Sequence, residues 1–258
     1  MPAESVSDPS HLDKTQTETQ ISEDAVTWKS GPLVGLCCTL LAGLAAWLIV
    51  HAVHPVFATT EGAGKYGFLP LDVQWRLDRN NSMFVLGLVG GLVSLALAIG
   101  EGLARRSASV VLAGGAACVA AGLIAGGLAG FLGHRAFEQV RANAEITDLT
   151  KAMLVNCVMF ATLGAGVGLG AGFILTKRIL VAIKCLVAGM LAGGLASTIY
   201  PVFVAALMPA AMTSVLLPLE VGERLLWFGL ATGLLGVFIP QVARDRARSR
   251  PPQTSAAS

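Results

Sequence analysis

Six stretches of this chain, residues 33–53, 83–103, 108–132, 152–175, 179–199 and 225–242, run for 18 to 25 residues with only two formal charges among them, Glu101 and Lys184. A helix needs about 20 consecutive apolar residues to cross the roughly 30 Å hydrocarbon core of a bilayer. Inside that core the backbone finds no water, so each stretch must close its own N–H and C=O groups as a helix. Composition points the same way: 13% of the 258 residues are charged, against about 25% in soluble domains. The expected fold is therefore all-α, a polytopic membrane bundle of six transmembrane helices.

Start signals precede several of the runs. Gly31-Pro32 opens the first, and proline is tolerated in a first helical turn. Any of Asn80, Asn81 and Ser82 can cap the second, Ser107 the third, and Asp148 or Thr150 the fourth. Residues 1–30 carry six acids and two bases and almost no large apolar side chain. They read as a disordered acidic tail before a first anchoring helix, not as a secretory signal with its short basic start. Residues 31–243 form the bundle. Residues 244–258, with Arg244, Arg246, Arg248 and Arg250, form a short basic tail.

Basic residues beside the spans set the expected orientation. Arg105-Arg106 lies between the second and third runs, Lys177-Arg178 between the fourth and fifth, and the arginine tail after the sixth. Placing all three on one side puts both termini in the cytoplasm, with the bundle in the inner membrane of a bacterial-type cell. The longest outward connection, 54–82, alternates Leu69, Leu71, Val73, Trp75 and Leu77 with polar residues. That period of two suggests an extended segment. Residues 134–150 read as helical extensions of the third and fourth spans. Pro201 should kink or stop the fifth helix, since it cannot donate to the Ser197 carbonyl. The apolar, proline-broken stretch 201–218 after it suits an interfacial helix or a re-entrant piece.

Glycines recur at four-residue spacing: Gly122, Gly126 and Gly130 on the third span, Gly164, Gly168 and Gly172 on the fourth, and Gly189 and Gly193 on the fifth. Residues four apart share a helix face, so each set is a groove without side chains where another backbone can come close. The third and fourth helices are expected to form the tightest pair, with Gly126 and Gly168 near its middle. Residues 121–129 and 188–196 are identical at seven of nine positions. Each follows a basic turn, which suggests a parallel repeat of helical hairpins.

Candidates for chemistry are few. Lys184 and Glu101 lie near the cytoplasmic ends of their spans, and Asn156 near an outer end, as interfacial anchors. His51, His54 and His134 fall at the outer ends of the first and third spans. The three-residue spacing of His51 and His54 would let one helix face offer two imidazoles to a metal, although interfacial polar residues serve as well. Ser94 and Ser197 lie within the membrane with no histidine at their depth, so a Ser-His nucleophile lacks its base. Both hydroxyls are expected to bond their own helix carbonyls or a neighbour. The five cysteines (Cys37, Cys38, Cys118, Cys157 and Cys185) all lie in apolar runs, as small buried hydrophobes. No enzyme motif, metal set or cofactor site is present in the sequence.

The stretch 87–133, with Gly100-Glu101-Gly102-Leu103, the basic pair and a Gly/Ala-rich helix, resembles glycine-rich hairpins of bacterial multi-pass membrane proteins. Some of those are linked to forkhead-associated domains. The resemblance implies a membrane anchor or scaffold and transfers no functional residue. A non-enzymatic scaffold or assembly subunit is the function expected, with a small-solute channel or transporter as the alternative. The partners expected are the lipid bilayer and further copies or other membrane proteins, with no nucleic acid.

Overall fold

The computed structural model describes residues 33–53, 55–57, 70–104, 108–208, 216–218 and 220–244. Both tails, His54, the Arg105-Arg106 turn and residues 209–215 lie outside them. The described residues form six helices and no strand: α1 Leu33–Val53, α2 Leu71–Ala104, α3 Ala108–Arg141, α4 Asp148–Thr176, α5 Ile179–Leu207 and α6 Val221–Arg244. All six are long and apolar enough to cross a membrane.

The 34 residues of α2 and of α3 correspond to about 51 Å each at 1.5 Å per residue. That exceeds the hydrocarbon core, so both helices project beyond it. The start of α2 overturns the expected extended segment, because residues 71–78 are helical. A lone strand would have had no partner, whereas lengthening an existing helix needs no new nucleus. The Pro70 carbonyl accepts from the N–H groups of Val73 and Gln74, both at 3.0 Å, and so starts the helix. Asp72 and Arg76 pair one turn apart at 3.3 Å. Asn81 is therefore inside the helix and not at its cap. Its side chain bonds both the N–H and the C=O of Phe57 at 3.0 Å, tying the chain after α1 onto α2.

The cap of α4 is Thr147, whose hydroxyl accepts from the Thr150 N–H at 3.3 Å, one residue before the expected start. At its other end Lys177 takes a left-handed conformation, φ 54°, and its N–H reaches the Phe173 carbonyl at 2.7 Å. This closes the two-residue turn into α5. Pro201 does not stop α5, which continues to Leu207. Tyr200, Pro201 and Val204 are all buried there, so core packing holds the helix past the missing hydrogen bond.

Packing is most extensive between α2 and α3 and between α4 and α5. α1 lies along α6: Gly35 meets Gly236 and Pro240, Gly43 meets Thr232, and Trp47 Nε1 donates to the Val221 carbonyl at 3.2 Å. The centre is filled by Leu86, Val89, Val93, Phe160, Leu163, Trp227, Phe228 and Leu235. Phe160 and Trp227 rings lie 4.9 Å apart, and Trp227 and Phe228 5.2 Å.

Candidate functional site

The glycine grooves are filled by the hairpin partner in both halves. A Cβ on Gly122 would overlap the Gly90 carbonyl oxygen, and one on Gly90 the Gly122 oxygen. One helical turn further, Gly126 faces the Leu86 oxygen, and after another turn Gly130 faces the Ser82 oxygen. In the second hairpin Gly164 and Gly189 block each other in the same reciprocal way, while Gly168 faces the Cys185 oxygen and Gly193 the Phe160 oxygen. Gly172 lies against Ala182 and Cys185.

The expected pairing of α3 with α4 through Gly126 and Gly168 is thus corrected. Those grooves are occupied by α2 and α5, where small residues or bare carbonyls face them at every turn. The contact between α3 and α4 uses the neighbouring stripe, Gly166 on Ala125, Gly170 on Ala121, and Gly133 on Met159. The repeat is present in the contacts as well as the letters. Gly90 to Gly164 and Leu86 to Phe160 are the same 74-residue step, and Gly122 to Gly189 and Gly126 to Gly193 the same 67-residue step. The second hairpin is therefore shorter by seven residues, or about one helical turn from each arm.

Two polar clusters lie at the far end of the bundle, opposite the Lys177-Arg178 turn. The first is buried at the head of α6. Glu223 is 1% exposed and Arg224 8%. The Tyr200 hydroxyl donates to Glu223 Oε1 at 2.8 Å, and Arg224 Nε and Nη2 donate to the Pro218 carbonyl at 3.2 and 3.1 Å. One turn deeper, Trp227 Nε1 donates to Asn156 Oδ1 at 2.8 Å, and Asn156 Nδ2 to the Ala152 carbonyl at 2.9 Å. Asn156 is a bridge inside the core, not an interfacial anchor. These bonds tie α4, α5, α6 and residues 216–218 together. A cavity of about 10 Å³ lies between Val50, Val85, Leu217, Arg224 and Phe228.

The second cluster is an open groove of about 330 Å³ over the projecting ends of α2 and α3, lined by Asp72, Trp75, Arg76, Arg79, His134 and Glu138. His134 is 2% exposed. Its Nε2 lies 3.3 Å from Glu138 Oε1, and Arg135 pairs with the other Glu138 oxygen at 3.1 Å. At the opposite end of the bundle, a cavity of about 20 Å³ is lined by Leu97, Glu101, Ala171, Cys185, Ile239 and Pro240 among others.

Of the three histidines, His54 lies outside the described residues, and His51 and His134 each have a separate partner. His51 stacks on Trp47 with ring centroids 5.6 Å apart, His134 bonds Glu138, and no group of three metal-ligating side chains forms among the described residues. Ser197 bonds the Gly194 carbonyl at 2.6 Å as expected. Ser94 does not: its buried hydroxyl makes no hydrogen bond among the described residues, pressed as it is against Gly122. Cys118 and Cys185 are buried, but Cys37 and Cys157 are exposed on their helices. Lys184 is exposed near the start of α5.

Sequence reasoning missed the Tyr200–Glu223 bond, which joins residues 23 apart across an apolar stretch without a spacing signal. It also missed the groove, although the four-residue spacings Asp72/Arg76 and His134/Glu138 could have revealed it. No protein-family model, no curated protein and no solved structure matches the chain.

Proposed function

We propose that this protein is a non-enzymatic scaffold or subunit of a membrane assembly, seated in a bacterial-type inner membrane with both termini in the cytoplasm. The observation that carries this reading is the tight packing of the interior among the described residues. Backbone contacts at Gly90–Gly122 and Gly164–Gly189 flank Phe160, Trp227 and Phe228, and the two small cavities beside them measure about 10 and 20 Å³. A space of that size takes about one water molecule, so neither cavity holds a solute. Large apolar side chains instead face outward, among them Leu41, Leu112, Ile124 and Leu191. These faces suit lipid, further copies or other membrane helices. The glycine-rich hairpins to which residues 87–133 are similar fit the same role.

Extraction in a mild detergent followed by native mass spectrometry tests this. Further copies or distinct protein subunits retained on the chain are the expected result. A second reading, a small-solute channel or transporter, draws on the charges of Glu223 and Arg224 buried within the far end of the bundle. Saturable solute flux into proteoliposomes, abolished by Glu223→Gln, would establish it and displace the scaffold.

A further inference from the structure

We infer that the groove over α2 and α3 binds the headgroup of a phospholipid that carries a hydrogen-bond donor beside its phosphate, such as an ethanolamine or a glycerol headgroup. Its depth is the first reason. The apolar run of α3 ends at Leu132, and His134 lies two residues further on, about 3 Å along the axis. Glu138 stands six residues past that end, about 9 Å, in the layer that headgroups occupy. Trp75 lines the same groove, and tryptophan prefers this boundary.

The unspent bonding capacity is the second reason. Asp72 is taken by Arg76, and Glu138 by Arg135 and His134. Arg79, by contrast, makes no side-chain hydrogen bond or ion pair with any described residue. A planar guanidinium left free at this depth is a partner for phosphate oxygens. His134 supplies the complementary half. The Glu138 carboxylate, held by Arg135, can only accept, so it takes the Nε2 proton of the imidazole. Nδ1 is then left with a lone pair and no proton. That nitrogen is buried and has no hydrogen-bond partner. It therefore calls for a donor, and an N–H or O–H adjacent to the phosphate provides one. A choline headgroup has the same phosphate but no such hydrogen. A soluble phosphoethanolamine shares the polar chemistry but not the acyl chains; the groove's depth and Trp75 assign the lipid.

The full chain in detergent, titrated with short-chain phosphatidylethanolamine, phosphatidylglycerol or phosphatidylcholine, tests the inference by native mass spectrometry of bound lipid. Phosphatidylethanolamine or phosphatidylglycerol should bind about tenfold more tightly than phosphatidylcholine, the worth of one satisfied buried acceptor. Arg79→Gln, at a half-buried position away from the bundle core, should weaken all three lipids. His134→Phe should remove the preference while leaving phosphatidylcholine binding in place. Equal affinity for the three lipids in the unaltered chain would overturn the inference, as would lipid binding indifferent to Arg79→Gln. Competition by free phosphoethanolamine as effective as by the lipid would overturn the assignment to a membrane headgroup.

Discussion

Adjacent glycines on one helix have opposite environments, and this makes the packing testable residue by residue. A Cβ at Gly126 would overlap the Leu86 carbonyl, whereas one at Gly127 meets nothing within 4 Å. A carbonyl fixed in a helix cannot rotate away as a side chain can, so Gly126→Ala must push α2 and α3 apart. Its expected cost is about 1–3 kcal/mol. Gly127→Ala should be neutral or stabilising by up to about 1 kcal/mol, because alanine favours helix more than glycine does. Denaturant unfolding in micelles separates the two, and equal effects would refute the close approach. The same logic applies to Tyr200. Tyr200→Phe strips the Glu223 carboxyl of a donor at 2.8 Å inside the core and should cost about 1–3 kcal/mol. Glu223→Gln keeps an acceptor for the hydroxyl and should cost clearly less in the same assay.

At the level of the element, the apolar cores of the helices were legible in the sequence, and their ends and partners were not. Residues 33–53 are helical throughout, as their hydrophobicity predicts, because lipid leaves a run of that length no other way to close its backbone bonds. The start of α2 was misread because Leu71, Val73, Trp75 and Leu77 alternate, a pattern that a projecting helix tolerates where neither face is fully buried. Pro201 reads as a kink or a stop, and of the two the stop does not occur, because a buried proline between Tyr200 and Val204 is held by what surrounds it. Both grooves on α3 and α4 were visible, yet four-residue spacing says which face is smooth and not which neighbour fills it. The cap of α4 shows how fine the margin is. Thr147, not Asp148 or Thr150, bonds the Thr150 N–H. Thr147→Ala should cost about 1 kcal/mol, read as a lowered unfolding midpoint, whereas Asp148→Ala should cost less than that.

For the whole molecule, the decisive question is which way the bundle faces, because the groove and the buried cluster of Tyr200, Glu223 and Arg224 both lie at the end opposite the Lys177-Arg178 turn. Six alternating spans place the turn between α3 and α4 and the turn between α4 and α5 on opposite sides of the membrane. In the orientation proposed from the positive-inside bias, Lys177-Arg178 faces the cytoplasm. Glu145 and Arg178 are exposed in those two turns, so each can report its side. On a chain whose five cysteines are replaced by alanine, a membrane-impermeant maleimide applied to intact cells should label Glu145→Cys and leave Arg178→Cys untouched. Permeabilised cells should label both. The reverse pattern would invert the protein and place the groove in the inner leaflet, and equal labelling of both sites in intact cells would contradict a span between them. Since α4 is 29 residues long and apolar through its middle, no arrangement with both turns on one side keeps its backbone in lipid without crossing.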